Sequence, residues 1–164
     1  MKQQTYINLM TNIKSNKKVN KLICTLNQLI TKMVYVSFVV FILWLLISRN
    51  DGFFRILLTT GISFILISFF RKICNRERPY EKFNHPPIIS KNKKGNSMPS
   101  RHVFSAFVIA MAFMYVNCIL GIFFILLSIA LAILRVLGGV HFPSDVIVGA
   151  IVGLICGLIG LWII

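Results

Sequence analysis

The residues able to do chemistry fall in three short strings: Arg71-x6-Arg78-Pro79, Pro99-Ser100-Arg101-His102 and Arg135-x5-His141-x3-Asp145. Each sits at the end of an apolar run that reads as long enough to span a bilayer. Ionisable side chains at a membrane boundary are costly to place and tend to be functional. Histidines, arginines and one aspartate in that setting suit phosphoryl transfer on a lipid.

The third string is the most telling. His141 and Asp145 are four residues apart, where a loop enters the last apolar run. The aspartate can accept a hydrogen bond from one imidazole nitrogen, fix the tautomer and leave the other nitrogen as a nucleophile. Arg135, at the end of the preceding run, offers a planar fork of donors for phosphate oxygens. In the second string Ser100 fits a helix N-cap, and the N–H groups after it form an anion site. His102 falls in the first turn and can donate a proton to a leaving oxygen. The first string lies in a basic segment that also holds Lys72, Arg76, Lys82, Lys91, Lys93 and Lys94.

Taken singly, each string also has a plain reading. His141 and Asp145 can merely cap a helix, His102 can be a structural helix-start residue, and a basic loop is commonly a solvated, lipid-facing flank. Lys91, Lys93 and Lys94 are assigned to that flank, and His85 to the loop.

In combination the strings resemble the three signature motifs of the type 2 phosphatidic acid phosphatase superfamily, KxxxxxxRP, PSGH and SRxxxxxHxxxD. The resemblance covers roughly residues 53–160. Arg78-Pro79 match the first motif, Pro99, Ser100 and His102 the second, and Arg135, His141 and Asp145 the third. Three positions depart from it. Arg71 stands at the lysine position with Lys72 one residue out of register, Arg101 replaces the glycine, and Leu134 replaces the serine. The resemblance implies a metal-independent phosphatase. His141 attacks phosphorus to give a phosphohistidine, Asp145 orients it, and His102 protonates the leaving oxygen. Arg71 or Lys72, with Arg78, Ser100, Arg101 and Arg135, hold the phosphate. Phosphatidic acid, phosphatidylglycerophosphate and polyprenyl diphosphate all fit as substrates.

The elements that must position these groups follow from composition. The chain has 164 residues, 57% of them hydrophobic, with 18 Lys and Arg against four acidic residues. That combination indicates a polytopic membrane protein facing anionic lipid, and apolar runs of this length argue against nucleic-acid binding. The four cysteines are scattered, with no CxxC spacing, and read as reduced. Neither a carboxylate cluster nor a His/Cys set is present to bind a metal, so no cofactor is expected. The first 30 residues are broken by polar residues and lack a small-residue cleavage site, so no secretory leader is expected.

The predicted architecture is all-α: a basic amphipathic segment over residues 1–33, then a transmembrane phosphatase domain over 34–164. Val19, Leu22, Ile23, Leu26, Leu29, Ile30 and Met33 line one helical face, with Asn27 mostly opposite. That helix either packs on the protein or lies flat on anionic lipid. Five spans are expected at 34–47, 53–70, 103–116, 119–137 and 146–163, one fewer than the six usual in the family core. An odd number of crossings puts all three strings on one face. On the last span Asp145, Gly149, Gly153 and Gly157 share a side, and a matching face of His102, Ala106 and Ala110 is expected to meet it.

The site side carries the six lysines of the N-terminal segment and nine cations of the long loop, against Arg49 and Arg55 opposite. The positive-inside bias therefore places the site in the cytoplasm. Relatives that recycle undecaprenyl diphosphate face outward, and catalysis itself demands several of those loop cations. High Lys, Asn and Ile content points to an AT-rich bacterial source. The non-enzymatic alternative is a membrane scaffold or small transporter subunit, which has no need of His102, His141 and Asp145 on one face.

Overall fold

Every regular element among the described residues, 1–91 and 93–164 of a computed structural model, is helical. The order is α1 (Gln3–Ser15), α2 (Lys17–Ile47), α3 (Phe53–Cys74), a single turn α4 (Pro79–Lys82), α5 (Arg101–Val116), α6 (Cys118–Leu137) and α7 (Pro143–Leu158). A π-helical turn over Ile159–Ile163 extends α7. Helices α2, α3, α6 and α7 are long and apolar enough to cross a membrane. α5 has only 16 residues, fewer than the roughly 20 a lipid-exposed span needs. It tolerates this because it is the central helix, with every residue from Val103 to Phe113 buried. Protein rather than lipid surrounds it, so its length need not match the bilayer.

The N-terminal segment divides where Asn16 caps α2, its side-chain oxygen accepting the N–H groups of Lys18 and Val19. α2 then runs unbroken from its polar first half into the first span. Its buried stripe is Ile23, Asn27, Ile30 and Val34, while Leu22 and Leu29 are each 56% exposed. The expected face is therefore rotated, and Asn27 lies inside it rather than opposite. α1 packs on the protein through Tyr6 and Met10, both fully buried. Burying two such side chains contributes about 1.5–3 kcal/mol each.

The glycine face of α7 does meet α5, along a different ridge from the one expected. A Cβ on Gly149 would lie 2.9 Å from the carbonyl oxygen of Ser100, and one on Gly153 would lie 2.8 Å from that of Phe104. Gly157 faces Met111. Ala106 and Ala110 turn instead into the main core, shared with Ile30, Val34 and Leu131. Close backbone approach thus brings the first turns of α5 and α7 together, and the Ser100 N–H donates to the Asp145 carbonyl at 2.8 Å. At the opposite end Asn117 caps α6, and the rings of Phe41, Phe113 and Phe124 stack with centroids 4.3 and 4.1 Å apart. With α2 descending from the site end, α3 returning, α5 descending, α6 returning and α7 descending, the three strings share one end of the bundle.

Candidate active site

The segment between α3 and α5 is folded onto that end by hydrogen bonds from two arginines. Arg71, in the last turn of α3, is buried and donates through Nη1 to the Pro99 carbonyl at 2.5 Å and through Nη2 to the Asn96 carbonyl. Arg78 is 1% exposed and donates to the carbonyls of Gly95 (3.0 Å), Val140 (3.2 Å) and Asn96 (3.3 Å). Pro79 sets α4 going, and Glu81 accepts the N–H groups of Arg78 and Gly95. Further along, Ile88 and Ile89 both donate to the Gly138 carbonyl, and the Tyr80 hydroxyl donates to that of Lys93. The long loop is thus a cover pinned across the third string. Lys72, one residue past Arg71, is exposed and lies outside this arrangement.

Gly139 makes the turn that carries His141, with φ +72°, and no Cβ fits there because Met10 and Tyr6 of α1 press against it. The Tyr6 hydroxyl donates to the Gly139 carbonyl at 3.1 Å and is 3.3 Å from that of His85. Lys14 donates to the Pro86 carbonyl. The basic N-terminal segment therefore sits on the site's own side and supports its loops. His85 is held within this support, its ring edge-on to Tyr6 at 6.1 Å.

His141 and Asp145 are both essentially inaccessible to solvent. Nδ1 of His141 is 3.5 Å from Oδ2 of Asp145, so Nε2 is the nitrogen left to react. The carboxylate is held from three further sides. Oδ2 accepts the Ser97 hydroxyl at 2.5 Å and the Phe142 N–H at 2.9 Å, and Oδ1 accepts Nη1 of Arg76 at 2.9 Å. Burial pushes the His141 imidazole well below its ordinary range. Asp145 pulls the other way, and Arg135 and Arg78 add to the effect of burial. The ring is therefore neutral at physiological pH, as a nucleophile must be.

Ser100 occupies the N-cap position of α5, but its hydroxyl makes no cap bond; it is fully buried without a partner among the described residues. Arg135 is 3% exposed, and only Nη1 is engaged, 3.3 Å from the side-chain oxygen of Asn27. Its Nε and Nη2 have no partner among the described residues. Buried donors of this kind cost about 1–3 kcal/mol each if left unsatisfied. An anion placed against Ser100 and Arg135 would satisfy both. His102 is half-buried beside this place, its ring 6.5 Å from that of Tyr35.

Residues 52–164 match the model of the PAP2 superfamily. The chain belongs to that superfamily. The LpxE protein of Aquifex aeolicus has a similar structure, with a TM-score of 0.68 and 26% identity over 89% of this chain and 94% of that one. A transmembrane PAP2-type phosphatidylglycerolphosphate phosphatase of Bacillus subtilis has the same fold, with a TM-score of 0.69 and 19% identity over 96% and 90% of the two chains. A curated relative, the bacitracin transport permease protein BcrC of Bacillus licheniformis, is 30% identical over 105 residues. That match takes in 62% of this chain and about half (52%) of the relative.

Within the PAP2 superfamily frame, the fold brings together Arg71, Arg78, Ser100, His102, Arg135, His141 and Asp145, and leaves Lys72 aside. Arg101 stays exposed at the start of α5, its guanidinium 5.4 Å from the Phe64 ring. Sequence spacing missed four residues at this end of the bundle: Asn27 behind Arg135, Arg76 and Ser97 on Asp145, and Lys91, whose charge is disfavoured by burial and then by Arg135, Arg78 and Arg71. Asn27 was detectable as a polar residue within the stripe Ile23, Ile30 and Val34, and Ser97 as a hydroxyl just ahead of the second string. Arg76 and Lys91 carried no local signal.

Proposed function

We propose that this chain is an integral membrane phosphatase that hydrolyses a lipid phosphate or diphosphate through a phosphohistidine at His141. The observation that carries it is Arg135, a buried guanidinium with two donor groups unpartnered among the described residues, on the helix leading to a buried His–Asp pair. Phosphate oxygens supply what those donors lack. His141 Nε2 attacks phosphorus and the bond to the leaving oxygen breaks. His102 donates its proton to that oxygen. Water then attacks the phosphohistidine, His102 accepts the water's proton, and His141 is restored. Arg71, Arg78, Ser100 and Arg135 hold the equatorial oxygens as charge spreads over them.

The reaction as written uses cationic side chains where other phosphatases use metal ions. The solved relatives support a lipid substrate, since one bears the name of a lipid phosphate phosphatase. We place the site on the cytoplasmic face of a bacterial cell membrane, following the excess of Lys and Arg at its end of the bundle.

The test is phosphate release by the purified protein from a panel of lipid mono- and diphosphates, with and without excess chelator and with vanadate. Release that survives chelator and is blocked by vanadate is expected. Loss in chelator restored by magnesium would overturn metal independence. His141→Ala should lower turnover about a thousandfold or more in a folded protein. The curated relative's name favours transport as the second reading. A transporter would release no phosphate, and its function would survive His141→Ala.

A further inference from the structure

Asn27 is a costly residue where it stands. It lies in the buried stripe of α2 between Ile23 and Ile30, and those two with Val34 share a core with Leu131 and Leu134 of α6. An amide in such a seam is unfavourable unless it is hydrogen-bonded, and leucine there would bury more apolar surface. Its partner is Arg135, whose Nη1 donates to Oδ1 at 3.3 Å. Leu131, Leu134 and Arg135 share one face of α6, because residues three and four apart line up on a helix. Apolar packing on both helices therefore fixes where the amide oxygen stands, and the guanidinium is set against it.

The bond decides how the guanidinium is presented. Its N–H donors lie in a rigid plane, and two of its edges can grip a pair of oxygens: Nη1 with Nη2, and Nε with Nη2. Asn27 takes Nη1 and is the only hydrogen-bond partner Arg135 has among the described residues. The atoms left buried and unpartnered among those residues are Nε and Nη2, the two donors of one edge. Arg71 and Arg78 are held differently, by backbone carbonyls of the loop between α3 and α5 and of Val140. Arg135 is held by a side chain of α2, a helix that ends before residue 52, where the match to the PAP2 superfamily begins. A residue outside the matched segment thus sets a cation of the third string.

We propose that Asn27 is a positioning residue for phosphoryl transfer, selecting the Nε–Nη2 edge of Arg135 as the one that meets phosphate. This rests on the phosphatase reading above and adds to it a role for α2. With Nη1 tied back, two parallel N–H bonds can form to two phosphoryl oxygens without the guanidinium turning. Without the tie, the side chain is free to turn on its long stem and present either edge, and ordering it adds to the barrier. Arg135 stays cationic in both cases, so Asn27 acts on geometry and not on charge. Its effect is largest where charge spreads over the equatorial oxygens, in the transition state.

The experiment is a double-mutant cycle on the full-length protein, read by phosphate release from farnesyl diphosphate and from dioleoyl phosphatidic acid, and by inhibition with vanadate. Asn27→Leu removes the acceptor at similar volume, Asn27→Ala removes it with no added bulk, and Asn27→Asp keeps an oxygen at the same reach. Thermal midpoints show which variants are folded. With Arg135 present, each removal should lower kcat/KM by at least about tenfold, mainly through kcat, and raise the vanadate inhibition constant by a similar factor. Asn27→Asp should recover part of the loss. On an Arg135→Lys background the same removals should cost about threefold or less, because an ammonium is a point charge with no edge to select. Equal losses on both backgrounds would make Asn27 a packing residue and overturn the proposal while the phosphatase reading stands. So would no loss with Arg135 present, or failure of both removal variants to fold. Release of phosphate from neither substrate by wild type overturns both.

Discussion

Nη1 of Arg76 lies 2.9 Å from Oδ1 of Asp145, and this pair holds the carboxylate that faces His141. The same nitrogen donates to the Ser144 hydroxyl at 2.9 Å, and the guanidinium lies 4.8 Å from the Phe142 ring centroid. Arg76 thereby ties the loop after α3 to the first turn of α7. With Oδ1 occupied, Oδ2 is the oxygen that faces Nδ1 of His141, shared with Ser97 and the Phe142 N–H.

Arg76 acts through Asp145 and not on substrate, so Arg76→Ala should lower kcat and leave KM nearly unchanged. The expected loss is about tenfold, equivalent to roughly 1.4 kcal/mol of transition-state stabilisation. Arg76→Lys should restore part of it, since the charge is kept while the planar guanidinium over the Phe142 ring is lost. Steady-state kinetics on the three proteins decides the matter. A rise in KM alone would show that Arg76 touches substrate.

Arg71 and Lys72 should separate cleanly. Arg71 is buried with two of its N–H groups on the carbonyls of Pro99 and Asn96, while Lys72 is exposed. Adjacent residues on a helix diverge by about 100°, so both cannot face the site. Arg71→Ala should cost at least about tenfold in kcat/KM, and Lys72→Ala little. Arg71→Lys should fall between, because a point charge cannot hold two carbonyls and a phosphate oxygen together. The reverse ranking would mean that the first motif is read one residue out.

The three strings, their shared end and the glycine ladder of α7 were legible because each depends on local spacing. What supports them was not, because it is joined across the fold. Asn27 reaches Arg135 over 108 residues, and Arg76 reaches Asp145 over 69. Apolar periodicity in α2 did not reveal the rotation of its buried face. Val19, Leu22 and Leu29 satisfy lipid or interface as readily as protein, so hydrophobicity no longer distinguishes inside from outside. Lys91 was indistinguishable from Lys93 and Lys94 in a run of loop cations. Only the bonds that pin the loop over Gly138 select it.

Orientation can be read from two native cysteines. Cys74 closes α3 at the site end, and Cys118 opens α6 at the other; both are exposed and free. Single-cysteine variants retaining one or the other should behave oppositely with an impermeant thiol reagent on intact cells. The charge distribution favours a cytoplasmic site, so Cys118 should label and Cys74 should label only after lysis. Labelling of Cys74 in intact cells would place the site outside.

Lys91 gives the site a pH dependence whose sign can be worked out. In the empty site its pKa is lowered to about 7, by burial first and then by Arg135 on α6, Arg78 before α4, Arg71 on α3 and Arg101 on α5. A bound phosphate adds negative charge and raises that pKa, so binding above pH 7 must take up a proton. The lowered pKa therefore predicts full anion affinity below about pH 7 and a decline above it, approaching tenfold per pH unit. Inorganic phosphate titrates in the same range, so its own ionisation must be cancelled. Inhibition constants for phosphate, measured between about pH 6 and 9 on wild type and Lys91→Ala, do this by their ratio. The ratio should be large at the acid end and approach one at the alkaline end. A ratio constant across the range would show that Lys91 stays charged and that the surrounding arginines do not control it.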